Sequence, residues 1–308
     1  MILISRLLMQ FFDAHTHLNH NDLFGDRKKH IHEFIEKGGV GLVNIGVDHT
    51  YNTRSLEIAQ ESKLLFPHTI IKSTIGLHPY EVAIGKITED NYEAKLEEMK
   101  NLYHENNKEL IVAIGEIGID TYRPDTEHTL PLQKKLFRQQ CEFARSLRLP
   151  IVIHSRANRE ATHEVLQEFT DLTIYFHCRP YGPEQIKIIR EAYSDFYIWY
   201  CGNISYPKAD NIRKSLWYLT YNNHDYPESI LSGKLTSSPL QETSLTKEVQ
   251  LKNILIETDA PYLAPQSHRG KQNTPLLVKE NYIYISSLIW WDISLEVINN
   301  TKKCYRLP

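Results

Sequence analysis

Histidines and carboxylates recur at one kind of place in this sequence, the end of an apolar run. The stretch Asp13-Ala14-His15-Thr16-His17 follows MQFF. Side chains two apart on a strand share a face, so His15 and His17 can aim into the same space. Such a pair alone also fits a hydrogen-bonded couple on a strand. Later runs repeat the arrangement: Glu116 closes AIGE, His154 closes PIVIH, His177 closes TIYFH and Asp259 closes ILIETD. A buried imidazole or carboxylate is costly unless paired or coordinated. Repeated placement of these groups at strand ends therefore predicts a common metal centre. Imidazoles with carboxylates suit zinc or manganese, magnesium being the more oxygen-seeking choice. The set exceeds the needs of one tetrahedral ion. It fits two divalent ions bridged by Glu116, with His15, His17 and Asp259 completing one and His154 and His177 the other. A single ion with hydrogen-bonded neighbours is the simpler alternative. The chemistry would be hydrolysis by an activated water, with Asp259 the candidate base; its competing reading is a helix N-cap before Ala260-Pro261.

These ligands converge only if the strands beneath them share one sheet. Short apolar runs at 9–15, 41–47, 69–77, 110–116, 150–154, 172–177, 196–201 and 253–258 alternate with helical patterns such as 92–103, 130–147 and 184–193. Strands alternating with helices predict a parallel sheet, and eight of them a TIM (β/α)8 barrel with its site at the C-terminal mouth. No linker divides the first 220 residues, so residues 1–308 read as a single barrel domain. The compositional break at about 221–250, polar and rich in Ser and Thr, reads as a mobile surface insertion after the seventh helix, on the face away from the strand ends; a protein partner there is the less favoured role.

A hydrophobic fraction of 41% and a net charge of −3 describe a globular chain without a global field for nucleic acid. Grip on phosphate must then come from local cations or metal. Cys141, Cys178, Cys201 and Cys304 form no CxxC pair, which argues against a zinc ribbon or disulfide scaffold and suits a reducing, cytosolic compartment. The N-terminal MILISRLLMQFF is short, interrupted by Arg6, and reads as neither signal peptide nor membrane span.

At these residues the chain resembles the TatD family of metal-dependent deoxyribonucleases, within the amidohydrolase superfamily. The matching motifs are DAHTHL at 13–18, GLHPYE at 76–81, GEIGID at 115–120 followed by Tyr122-Arg123, IHSR at 153–156, FHC at 176–178, ETDAPYLAP at 257–265 and RGKQNTP at 269–275. The resemblance implies divalent-metal hydrolysis of DNA phosphodiesters, typically from the 3′ end of single strands. Its metal ligands fall on the six residues above, and its further histidine falls on His78, suited to contacting phosphate. Arg123, Arg156, Arg269 and Lys271 sit just after strand-end motifs, where a phosphate chain would pass. Asp13 reads as a group that orients a histidine or caps the strand end, Asp120 as one that supports a ligand, and Glu257 as a neighbour of the site or an ion-pair partner. Tyr80, Tyr122 and Tyr262 are either base-stacking or rim-packing rings. The remaining histidines, His20 among them, read as surface or structural. Two departures from the family pattern are the long 221–250 segment and the seventh strand WYCGNIS, which brings Trp199 and Tyr200 to the barrel mouth or wall. The competing functions are a C–N bond amidohydrolase or deaminase on the same barrel, disfavoured by Glu116 where such enzymes often carry a modified lysine, and a degenerate binding module, disfavoured by the intact ligand set.

Overall fold

The computed structural model describes residues 9–105, 107–177, 181–234 and 249–308. Cys178 and residues 235–248 of the polar segment lie outside them, as does the start of the apolar N-terminal stretch. Eight parallel strands form one sheet in chain order: β1 (Phe11–Thr16), β2 (Gly39–Asn44), β3 (Ile70–Ile75), β4 (Ile111–Asp120), β5 (Ile151–Arg156), β6 (Ile174–His177), β7 (Phe196–Tyr200) and β8 (Ile254–Ile256). Helices follow the strands, and the last strand returns to the first. The Asp259 amide donates to the His15 carbonyl at 3.0 Å and the His17 amide to the Ala260 carbonyl at 2.8 Å. The Asp13 carboxylate completes the seam by accepting from the Thr258 amide at 2.9 Å and the Thr258 hydroxyl at 2.6 Å. The architecture is the expected TIM barrel.

Alternation along β5 to β8 separates two cores. Ile151, Ile153, Ile174, Phe176, Phe196, Ile198, Ile254 and Ile256 pack outward with the helices, among them the amphipathic Leu130–Leu147. Val152, Tyr175, Tyr197, Trp199 and Leu255 form the inner cluster. His154, His177 and Glu257 continue the inward rows of Val152, Tyr175 and Leu255. Tyr200, by contrast, turns outward to Ser215 at 3.1 Å rather than to the mouth.

Two regions differ from expectation. β4 runs on to Asp120 because the Gln133 side chain brackets the Asp120 backbone, accepting from its N–H at 2.8 Å and donating to its carbonyl at 3.0 Å. The polar segment is also better packed at its start than its composition suggests. A short helix at Glu228–Ser232 buries Ile230, and the buried Arg213 donates to the Ile230 and Leu231 carbonyls at 2.7 and 2.9 Å. The apolar Ile230 anchors what reads as a purely polar surface stretch. The expected partner role falls mostly on 235–248, outside the described residues.

Candidate metal centre

Local departures from regular backbone deliver the polar side chains to the barrel axis. The β1 register is irregular between Asp13 and Thr16 and the β4 register between Ile114 and Ile117, the segments that carry His15 and Glu116. Such irregularities re-aim side chains beside sites. Gly118 sits at φ +142°, and a methyl group built there would strike the His154 carbonyl oxygen, so glycine lets β4 and β5 close up beneath the site. Asp259 adopts φ +54° and opens a turn closed by the Tyr262 amide at 2.8 Å; no helix starts there, which removes the N-cap reading. Of the two roles expected of Asp13, the hydrogen bonds show the cap at the strand end, where its carboxylate clamps backbone across the barrel seam.

Hydrogen bonds fix which ring nitrogen of His17 and of His78 bears a lone pair. His17 Nδ1 donates to the Ile45 carbonyl at 3.2 Å, leaving Nε2 to face the axis. That Nε2 lies 3.2 Å from His15 Nε2, 3.4 Å from Asp259 Oδ1 and 3.9 Å from Glu116 Oε2. His15 Nε2 lies 3.7 Å from both Asp259 Oδ1 and Glu116 Oε2. Metal–ligand bonds of about 2.1 Å give a tetrahedron with edges of about 3.4 Å, so His15, His17 and Asp259 fit a divalent cation, with Glu116 Oε2 close to both imidazoles.

The other Glu116 oxygen, Oε1, faces a second group, 2.6 Å from His154 Nδ1 and 3.5 Å from His177 Nε2. His154 Nε2 meets Asp120 Oδ2 at 3.0 Å and His177 Nδ1 meets Glu257 Oε1 at 2.8 Å, so each carboxylate holds its ring with the opposite nitrogen turned to Glu116. Glu257 also accepts from the Tyr175 hydroxyl. This carboxylate–histidine pairing is the usual support of metal-binding imidazoles. His78 also stands 3.5 Å from Glu116 Oε1, through Nε2. Its Nδ1 accepts from the Tyr80 amide at 3.0 Å, so Nε2 carries the proton of the neutral ring and offers a donor rather than a lone pair.

Burial is the largest influence on His15, Glu116 and His177. It drives the His15 pKa well below the ordinary histidine value, reinforced by His177, and so keeps a lone pair available. Burial would raise Glu116, but His177, His78 and His154 outweigh it and hold the carboxyl well below its usual range. Burial opposes charge on His177, yet Glu257 and Glu116 push its pKa up to about 10. A cation entering here would displace the proton that Glu257 and Glu116 hold on His177.

A cavity of about 680 Å³ opens over these groups, lined in part by His17, His78, Glu116, His154, His177 and Asp259. Trp199 forms part of its wall, 5.5 Å from the His177 ring. Arg156 also lines it, with its guanidinium 3.7 Å above the Tyr122 ring, and Tyr122 and Tyr262 stand 62% and 52% exposed at the rim. The other expected phosphate-binding cations stand back from the cavity lining. Arg123 stacks on Tyr80 at 4.6 Å, Arg269 on Tyr206 at 4.2 Å, and Lys271 is exposed. His20 and Tyr51, which sequence reasoning passed over, do line the cavity. Both lie in segments without a strand-end signal.

A barrel with histidine and carboxylate ligands at its mouth defines the class of metal-dependent hydrolases. A profile described as TatD related DNase matches residues 12–306, and the chain belongs to that family. It is 29% identical over 301 residues to YabD, an uncharacterised metal-dependent hydrolase of Bacillus subtilis, covering 96% of this chain and 99% of YabD. Among solved structures it is similar to YJJV, a TatD homologue from Escherichia coli, with TM-score 0.74 and 20% identity over 97% of this chain and 98% of that one. It is also similar to a TatD family hydrolase from Entamoeba histolytica, with TM-score 0.73 and 18% identity over 97% and 99%. Both likenesses support the fold. Among the described residues, no helix is long and apolar enough to cross a membrane.

Proposed function

We propose that this chain is a cytosolic phosphodiesterase, built as one barrel domain over residues 1–308, that shortens single-stranded DNA from its 3′ end with two divalent ions. The supporting observation is Glu116, whose two oxygens face two separate ligand sets: His15, His17 and Asp259 on one side, His154 and His177 on the other. A pair of cations there would supply a nucleophile at neutral pH and neutralise charge on the reacting phosphate.

The protein's own groups divide the remaining work. Asp259 accepts the proton of the attacking water at its carboxylate. His78 donates from Nε2 to a phosphate oxygen, and Arg156 pairs with the chain at the rim. Buried Trp199 and half-buried Leu263 give one side of the cavity an apolar wall. The family description favours DNA over other phosphodiesters.

The test is end-labelled single-stranded DNA incubated with the manganese-loaded protein, with chelator, and with Asp259→Asn. Stepwise shortening from the 3′ end is expected only in the first. Intact DNA with every divalent ion tried, beside hydrolysis of a cyclic amide, would replace this reading with a C–N amidohydrolase.

A further inference from the structure

His20 and His78 repeat one device on two sides of the metal centre. Each ring closes a turn through its own Nδ1, which accepts from the Asp22 amide at 3.2 Å in His20 and from the Tyr80 amide at 3.0 Å in His78. With Nδ1 accepting, the neutral ring carries its proton on Nε2. His78 lies against His154, their ring centroids 4.2 Å apart. His20 lies on the other side, 5.6 Å from the Tyr262 ring and 6.0 Å from the Tyr51 ring. Tyr262 in turn meets the His17 ring at 6.4 Å. His17, Tyr262 and His20 thus form a row leading outward from the first ligand set along the wall of the same cavity. His20 belongs to neither ligand set, and its side chain is 20% exposed. The Asp22 carboxylate stands 3.5 Å from the same Nδ1 that closes the turn.

We propose that His20 and Tyr262 form a subsite for the phosphodiester group next to the scissile one, with His20 Nε2–H donating to a non-bridging oxygen and the exposed Tyr262 ring packing against the intervening nucleoside. The subsite rests on the nuclease reading above. A neutral donor and a ring face carry no base readout, so the subsite holds the strand without regard to sequence. It favours a chain over an isolated diester, because only a chain offers the neighbouring phosphate.

Two substrates separate this role from the metal centre. A short thymidine oligonucleotide has phosphates flanking the cleaved bond; bis(p-nitrophenyl) phosphate has none. In the manganese-loaded enzyme, His20→Asn keeps a side chain that closes the turn but removes the ring N–H, and His20→Ala removes both. We expect His20→Asn to raise KM for the oligonucleotide about tenfold, the loss of one hydrogen bond to a charged group, with the kcat for that substrate nearly held. Its kcat/KM should fall at least several-fold further for the oligonucleotide than for the small diester, at an unaltered melting temperature. Parent-like KM for the oligonucleotide overturns the subsite while the nuclease reading stands. Equal losses on both substrates also overturn it, since they place the effect at the metal centre. A parent enzyme that cleaves neither substrate sinks the nuclease reading, and the subsite with it.

Discussion

His177 Nδ1 lies 2.8 Å from Glu257 Oε1, and this contact turns the opposite ring nitrogen toward Glu116. Glu257 is fully buried two residues before Asp259 and accepts from Tyr175 as well, so its position is set by the core rather than by a ligand. Replacing it by Gln keeps its volume and removes the charge that holds the ring. Zinc affinity at the His154–His177 side should fall by about 10- to 100-fold, read by competition with a chromophoric chelator. Parent-like affinity would mean that Glu257 does not set the ligand.

Acidity should work against the metal. In the metal-free protein Glu257 and Glu116 overcome burial and raise His177 from its ordinary 6.5 to about 10. The raised value means that charge on this ring stabilises the metal-free fold fully below about pH 6.5, and the contribution fades as pH climbs through about 10. A cation at Nε2 must displace that proton. Apparent affinity should therefore rise with pH from about 7 to 9, approaching tenfold per unit, and calorimetry in buffers of different ionisation enthalpy should register proton release. An affinity flat across that range contradicts the assignment.

Gly118→Ala should injure the second ligand set before the first. The φ of +142° and the approach of the His154 carbonyl leave no room for a methyl group. A cost of about 1–3 kcal/mol in unfolding free energy is expected from the backbone alone. Displacement of His154 should also lower the bound metal per chain. Metal content equal to that of the parent after gel filtration would show that β5 tolerates the shift.

Arg213 makes a separable, structural prediction. Its guanidinium is fully buried and donates to the carbonyls of Ile204, Tyr206, Pro207, Ile230 and Leu231. It thus ties the loop after β7 to the start of the polar segment. Arg213→Met should lower stability to denaturant by about 3 kcal/mol by stranding several buried acceptors. Zinc affinity should stay near that of the parent, because no ligand side chain bonds to Arg213.

What could be read without coordinates follows from how far each signal extends along the chain. His154, His177 and Asp259 were legible because an apolar run ending in a costly polar group advertises both the strand and the ligand. The gathering of these side chains about Glu116 was legible for the same reason, since strand order fixes their neighbours. The partner of Asp13 was not legible, because the seam bond to Thr258 depends on a residue 245 positions away. His20 was set aside because the rings beside it are brought there by the helix after β2 and the loop after β8. Arg213 has no signal in the sequence; only the carbonyls gathered around it show its role. The helix at Glu228–Ser232 was missed because polar residues outnumber its one deep anchor, Ile230.

The claim that everything else leans on is that Glu116 stands between two cation sites. Anomalous diffraction from crystals of the zinc-loaded protein, recorded above and below the zinc edge, tests it most directly. Two peaks are expected, one within coordinating reach of His15, His17 and Asp259 and one of His154 and His177, both touching Glu116. A lone peak remote from Glu116, or no peak in the barrel mouth of a zinc-saturated crystal, would contradict the account.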